Sequence, residues 1–209
     1  MSKTAQTSPH HLISVPLNEL RPTQITVGLA EVAAKRQEWR KLGKKVQKTR
    51  REPWFPSVLG PKGRYYIVDH HHLGLALQED GFHTAWLVVL QDYASLDIQR
   101  FWRIMEFRQW AHPYDAKGRR LDFAAMPKRL SGMQDDPYRS LAGFVRQGGG
   151  YAKDATPYSE FLWADFFRLQ FSVKQLQHSL EPAVEEGIAL ARSQSASYLP
   201  GWTGAIEGS

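Results

Sequence analysis

The sequence predicts an α/β core followed by a helical C-terminal region. Three observations lead there. Between residues 12 and 112, short β-branched and aromatic runs alternate with helical spacings in the order strand, helix, strand, helix. Past residue 113 the composition shifts to turn and basic residues. From Asp135 onward only helical patterns recur. The expected organisation is an α/β domain over 12–112, a helical region over 113–192, and disordered tails at 1–11 and 193–209.

A chain of 209 residues has room for one such core with an appendage. Its 42% hydrophobic and 12% aromatic content suit a packed interior. The formal net charge of +6 favours an anionic partner, either nucleic acid or a phosphorylated small molecule. The chain has no cysteine, which excludes disulfides, thiolate metal sites and cysteine nucleophiles. No apolar run approaches the length of about 18 residues that spans a membrane. The opening M-S-K-T-A-Q-T-S-P-H-H lacks the apolar segment of a signal peptide. These features predict a cytoplasmic protein without membrane contact; an exported form stays open if a leader has been removed.

Taken in order, Leu12 to Val15 reads as a short strand, and Leu17 to Gln24 as a turn punctuated by Pro16 and Pro22. A helix is expected from Gly28 to Leu42, with Leu29, Val32, Ala33 and Trp39 on its apolar side. Its end runs into seven basic residues, Arg40, Lys41, Lys44, Lys45, Lys48, Arg50 and Arg51. These form either a phosphate-tracking patch or a solvated helix end. The turn Gly60 to Gly63 separates the strand Ser57-Val58-Leu59 from a second strand at Tyr65 to Val68. The helix after it closes at Gly81. Thr84 to Leu90 reads as a strand buried on both faces, and Ser95 as the cap of a helix over 96–110. In the second half, Asp136 and Pro137 start a helix that runs to Gln147. Another begins near Thr156-Pro157, and Ser172 caps a last one disturbed at Pro182.

The densest chemistry lies where strand meets helix, at Asp69, His70, His71 and His72. An Asp at such a junction can cap the helix, and the free N–H groups of a first turn attract anions. Three consecutive imidazoles fan over about 200° of that turn, so at most two share a site. One can donate to a phosphate and one can transfer a proton. The structural alternative is a capping Asp with histidines bonded to backbone.

Two family resemblances start from this stretch. Val68 to His71 resembles the signature of DHH phosphoesterases. That family adds an Asp-rich metal motif upstream, where this chain has only Glu19, Glu31, Glu38 and Glu52. The order of segments more closely resembles the ParB/sulfiredoxin superfamily, and within it the branch of ParB-like nucleases. The resemblance rests on L-R-P-T-Q (Leu20 to Gln24), D-H-H-H-L (Asp69 to Leu73), D-D-P-Y-R-S-L-A (Asp135 to Ala142) and W-A-D-F-F-R (Trp163 to Arg168). It spans about residues 12–170 and implies a small mixed sheet with a phosphate-binding D-G-H-H-R-like box. Here His70 replaces the Gly of that box and Leu73 its Arg, so a histidine or a distant arginine must grip the phosphate. Gln24 stands where phosphorylating members carry a basic Glu, and Gln cannot accept a proton.

The leading expectation is an enzyme acting on a phosphate ester, a nuclease. Asp69, His70, His71 and His72 are its catalytic candidates. Gln24, Lys35, Arg21, Arg139 and Arg168 are candidates for phosphate or substrate binding. No metal ligand is assigned. The cofactor is left open between a divalent metal and a nucleotide, and the partner between nucleic acid and nucleotide. An ADP- or ATP-dependent small-molecule kinase and a non-catalytic nucleic-acid module using Arg40 to Arg51 are the alternatives. The acidic residues Asp135, Asp136, Glu160 and Asp165 read as caps and ion pairs, and Phe161, Trp163, Phe166, Phe167 and Phe171 as core.

Overall fold

The structure, a computed structural model, describes residues 12–49 and 54–204. Residues 1–11, 50–53 and 205–209 lie outside it. Its strands are β1 (Leu12–Pro16), β2 (Thr26–Val27), β3 (Trp54–Gly60), β4 (Arg64–Ile67), β5 (Thr84–Asp92) and β6 (Gln134–Asp135). Its helices are α1 (Leu29–Thr49), α2 (His71–Glu79), α3 (Ile98–Phe107), α4 (Pro137–Gln147), α5 (Ser159–Arg168), α6 (Val173–His178) and α7 (Leu180–Arg192).

Four strands form a mixed sheet in the order β1-β5-β3-β4. The pair β1–β5 is antiparallel, β5–β3 parallel and β3–β4 antiparallel. A parallel pair needs a crossover, and α2 supplies part of the one between β3 and β5. The proline turn lies along β4. Arg21 N donates to Tyr65 O at 3.0 Å, and Ile67 N donates to Arg21 O at 2.9 Å. That contact satisfies an edge that would otherwise be open.

One face of the sheet packs Phe55, Ile67, Ala85 and Leu87 against Leu75, Ala76 and Leu77 of α2. On α3, Phe101, Trp102 and Met105 pack with Val58 and Tyr66. Strand β5 is not buried on both faces as expected. Ala85 and Leu87 are buried while Trp86 and Val88 are only half-buried, an alternation that marks unequal cover of the two faces.

The C-terminal helices close on a separate cluster built around Leu141, Val145, Trp163 and Phe167. The five expected core aromatics, from Phe161 to Phe171, are all buried. Asp136 caps α4 as expected, accepting from Tyr138 N at 3.1 Å. Ser172 and Gln175 form a capping box on α6.

Several boundaries differ from expectation. Asp97, not Ser95, caps α3, because its carboxylate reaches Arg100 N at 2.8 Å. The chain breaks at Ser179, so Pro182 falls in the first turn of α7, where a missing N–H costs nothing. Helix α1 runs on to Thr49; of its expected apolar side Val32 is buried and Leu29 exposed, while the side chain of Trp39 lies outside the description. The segment 193–204 is not a loose tail. Ala196 and Leu199 are buried, and Trp163 Nε1 donates to Pro200 O at 2.9 Å.

A short strand pair helps to stitch the two halves together. Strands β2 and β6 pair in parallel, with Thr26 opposite Gln134 and Val27 opposite Asp135. Leu29 N donates to Asp135 Oδ1 at 2.9 Å. The next contact needs glycine, since a Cβ on Gly28 would lie 2.7 Å from Ser140 N. This close approach sets the start of α1 against α4.

Candidate functional site

A cleft of about 930 Å³ opens between the halves. The strand-turn-helix at Asp69–His72, α1, α4 and residues 153–161 line it, and the buried Glu31 of α1 and Arg139 of α4 form its floor. Of the residues singled out in the sequence, Gln24, Lys35, Asp69, His70, His71, His72 and Arg139 line it; Arg21 and Arg168 do not.

The three histidines have different roles in the turn. His70 is the helix N-cap residue, at φ 64 and ψ 27. That left-handed conformation explains why the family box has glycine here. Asp69 does not cap α2; its carboxylate accepts from His70 N at 2.6 Å. Both side chains stay open to solvent, Asp69 at 72% and His70 at 41%.

His71 is buried, and its Nε2 accepts from Thr23 N at 3.1 Å. Burial pushes its pKa down to about 3, so the ring is neutral with its proton on Nδ1. His72 Nε2 accepts from Gly28 N at 3.1 Å. Burial first, then the charges of Arg139 and Lys35, hold it well below the ordinary range. Both rings therefore clamp the chain from Thr23 to Gly28 onto α2.

The buried charge lies on the floor. Glu31 is 3% exposed, and its Oε1 accepts from Lys35 Nζ at 2.6 Å. Its Oε2 has no donor and faces His72 Nε2 at 3.4 Å. The carboxylate fits because α4 has glycine there, since a Cβ on Gly143 would lie 2.6 Å from Glu31 Oε2. Arg139 is 5% exposed and lies 3.8 Å over the Phe161 ring. Its Nη2 reaches Glu160 Oε2 at 3.4 Å, while Nε and Nη1 have no acceptor. Arg146 Nε lies 3.1 Å from Glu160 Oε1 without hydrogen-bond alignment.

Aromatic rings back this floor. His112 lies 3.7 Å from Phe161 and stacks at 4.3 Å on Tyr114. Burial, assisted by Arg139, lowers its pKa to about 3. Gln109 (φ 55) and Tyr158 (φ 60) also line the cleft in left-handed conformations. Three of the four non-glycine residues with positive φ among the described residues thus meet at one cleft, and such strain concentrates at functional sites.

The remaining candidates have other partners. Arg168 donates to both carboxylate oxygens of Asp136, at 3.2 and 3.0 Å, and to Ala116 O at 3.0 Å. Arg21 lies 6.0 Å over the Tyr66 ring. Gln24 Nε2 donates to Thr26 O at 2.7 Å. Of the basic run, Arg40 pairs with Asp80 at 3.0 Å, and Arg50 and Arg51 lie outside the described residues. Among the described residues, no three His, Asp or Glu side chains converge as metal ligands.

Sequence reasoning passed over Glu31 and Arg146 and took Glu160 for an ordinary ion-pair residue. A signal was present. Arg139 and Arg146 are two helical turns apart and share a face with Ala142 and Gly143, where apolar residues belong.

A mixed sheet, a strand-turn-helix opening onto a cleft, and a helical wall carrying the buried charges define the class. The family model described as "Putative ParB-like nuclease" matches residues 13–169, and the chain belongs to that family. Among solved structures it is similar to protein Atu1540 from Agrobacterium tumefaciens. The two are 41% identical with a TM-score of 0.86, over 94% of this chain and 100% of that one. No curated protein matches the chain.

Proposed function

We propose that the protein acts on a phosphate ester, as a nuclease, and that α1 and α4 hold the phosphate instead of the histidine box. One observation carries this reading: the buried guanidinium of Arg139 has two nitrogens, Nε and Nη1, without an acceptor on the floor of a cleft. A buried, unpaired donor costs about 1–3 kcal/mol, more when charged, and phosphate oxygens are suitable acceptors. Arg139, Arg146 and Lys35 neutralise the phosphate. Glu31 is the carboxylate available to accept a proton from the attacking group. His70 and Asp69, exposed at the mouth, contact the rest of the substrate. His71 and His72 position the turn. The family description adds nucleic acid as the partner.

The test is cleavage of single- and double-stranded DNA with several divalent metals. Arg139→Gln is expected to lower kcat/KM about a hundredfold, through loss of a charge-assisted hydrogen bond to the substrate phosphate. Undiminished cleavage in that variant overturns the site.

A small-molecule kinase is the second reading, and the cleft's charge favours it. Lys35, Arg108, Arg139, Arg146 and Lys153 face Glu31, Glu38, Asp69, Asp154 and Glu160, whereas a polynucleotide groove carries excess positive charge. A thermal shift with ADP or ATP supports it, and no shift at millimolar nucleotide removes it.

A further inference from the structure

We propose that Arg139 and Arg146 form a subsite for a terminal phosphate, and that Glu160 occupies this subsite in the free protein. The proposal rests on the phosphate-ester reading above and adds the substrate class: a polynucleotide end that carries a phosphate, which the two arginines hold while the nuclease works inward from that end.

The charges are unequal. Lys35 is matched by Glu31 at 2.6 Å. The two arginines share the single carboxylate of Glu160, and neither contact is strong: 3.4 Å to Arg139, and a misaligned 3.1 Å to Arg146. One positive charge and several N–H groups are left over. A phosphate monoester carries up to two negative charges and three free oxygens, enough for both forks.

Glu160 is also placed to leave. Its side chain is 31% exposed, while Arg139 beneath it is 5% exposed. It stands in the first turn of α5, directly after the left-handed Tyr158, which gives that turn no side-chain cap. The two arginines are its hydrogen-bond and ion-pair partners among the described residues.

Charge favours the chain end. A terminal phosphate offers a second negative charge and a third free oxygen, which an internal phosphodiester lacks.

The experiment measures thermal shifts of the full chain with three probes: inorganic phosphate, an oligonucleotide with a 5′-phosphate, and the same oligonucleotide with a 5′-hydroxyl. Phosphate and the 5′-phosphorylated strand are expected to stabilise the protein, and the 5′-hydroxyl strand is not. Glu160→Gln is expected to bind both phosphates severalfold tighter, and Arg146→Gln to lose them. Circular dichroism checks the fold of each variant, and Glu160→Ala replaces the glutamine variant if that does not fold. Equal binding of the 5′-hydroxyl strand overturns the terminal preference and leaves the ester reading standing. Unchanged phosphate affinity without Glu160 overturns its role as occupant. No shift with any probe, in wild type or Glu160→Gln, overturns the phosphate-ester reading itself.

Discussion

Each end of α5 has an arginine drawn away from solvent, Arg168 at 16% side-chain exposure and Arg139 at 5%, and the two differ in how they are bonded. Arg168, at the C-terminal end, grips Asp136 with two bonds, donates to Ala116 O and lies 4.6 Å over the Tyr138 ring. Arg139, facing the N-terminal end, lies on Phe161 and has one long contact. The first has the bonding of a structural lock, and the second that of a receptor awaiting an acceptor. Burial of a charged residue therefore does not identify its role; the tally of its bonded N–H groups does.

The contrast predicts opposite outcomes on substitution. Arg168→Ala strands the Asp136 carboxylate, which is 1% exposed, and should cost about 3–5 kcal/mol in urea unfolding. A loss below about 1 kcal/mol would make the lock ornamental. His71→Ala comes next. It leaves the Thr23 N–H unsatisfied and opens a cavity, for a loss of about 2–4 kcal/mol. Any fall in its activity should follow its stability, so restoring the fold by cooling should restore turnover.

Acid sharpens the same distinction. His71, His72 and His112 all have pKa values lowered by burial, so the unfolded chain binds more protons than the folded one. Stability should therefore fall as pH drops below about 6.5, the unfolded value, and keep falling toward about 3. Each histidine contributes at most about 1.4 kcal/mol per pH unit in that window. Melting curves between pH 7 and 4 measure this slope, and His71→Gln should flatten it. The smallest effect on stability belongs to Arg139→Gln. Removing a poorly paired buried charge should change unfolding free energy by under about 1 kcal/mol while phosphate binding is lost. Losses comparable with those of Arg168→Ala would erase the comparison.

Much of the fold was legible because it is encoded locally. The proline turn, the strand-turn-helix before Gly81 and the caps at Asp136 and Ser172 each lie within a few residues of what they organise. The choice between Ser95 and Asp97 was not, because both are capping residues two positions apart and only the backbone angle selects one. The C-terminal segment was misread because Ala196 and Leu199 find cover only in the assembled helical cluster.

The site was less legible for a related reason. Histidine density at the turn suggests chemistry, yet the partner that takes up His71 is Thr23, 48 residues earlier. Arg139 was visible through the segment around it. Arg146 and Glu31 acquire meaning only once Gly143 brings α1 onto α4.

The short β2–β6 pair has a consequence for how the protein is made. It ties Leu29 to Asp135, 106 residues further along the chain. A chain leaving the ribosome presents Glu31 and Lys35 early, but their facing wall comes only when β6, α4 and α5 have emerged. The cleft is therefore among the last features to be completed, and a nascent or truncated chain ending before Glu160 carries half a binding site.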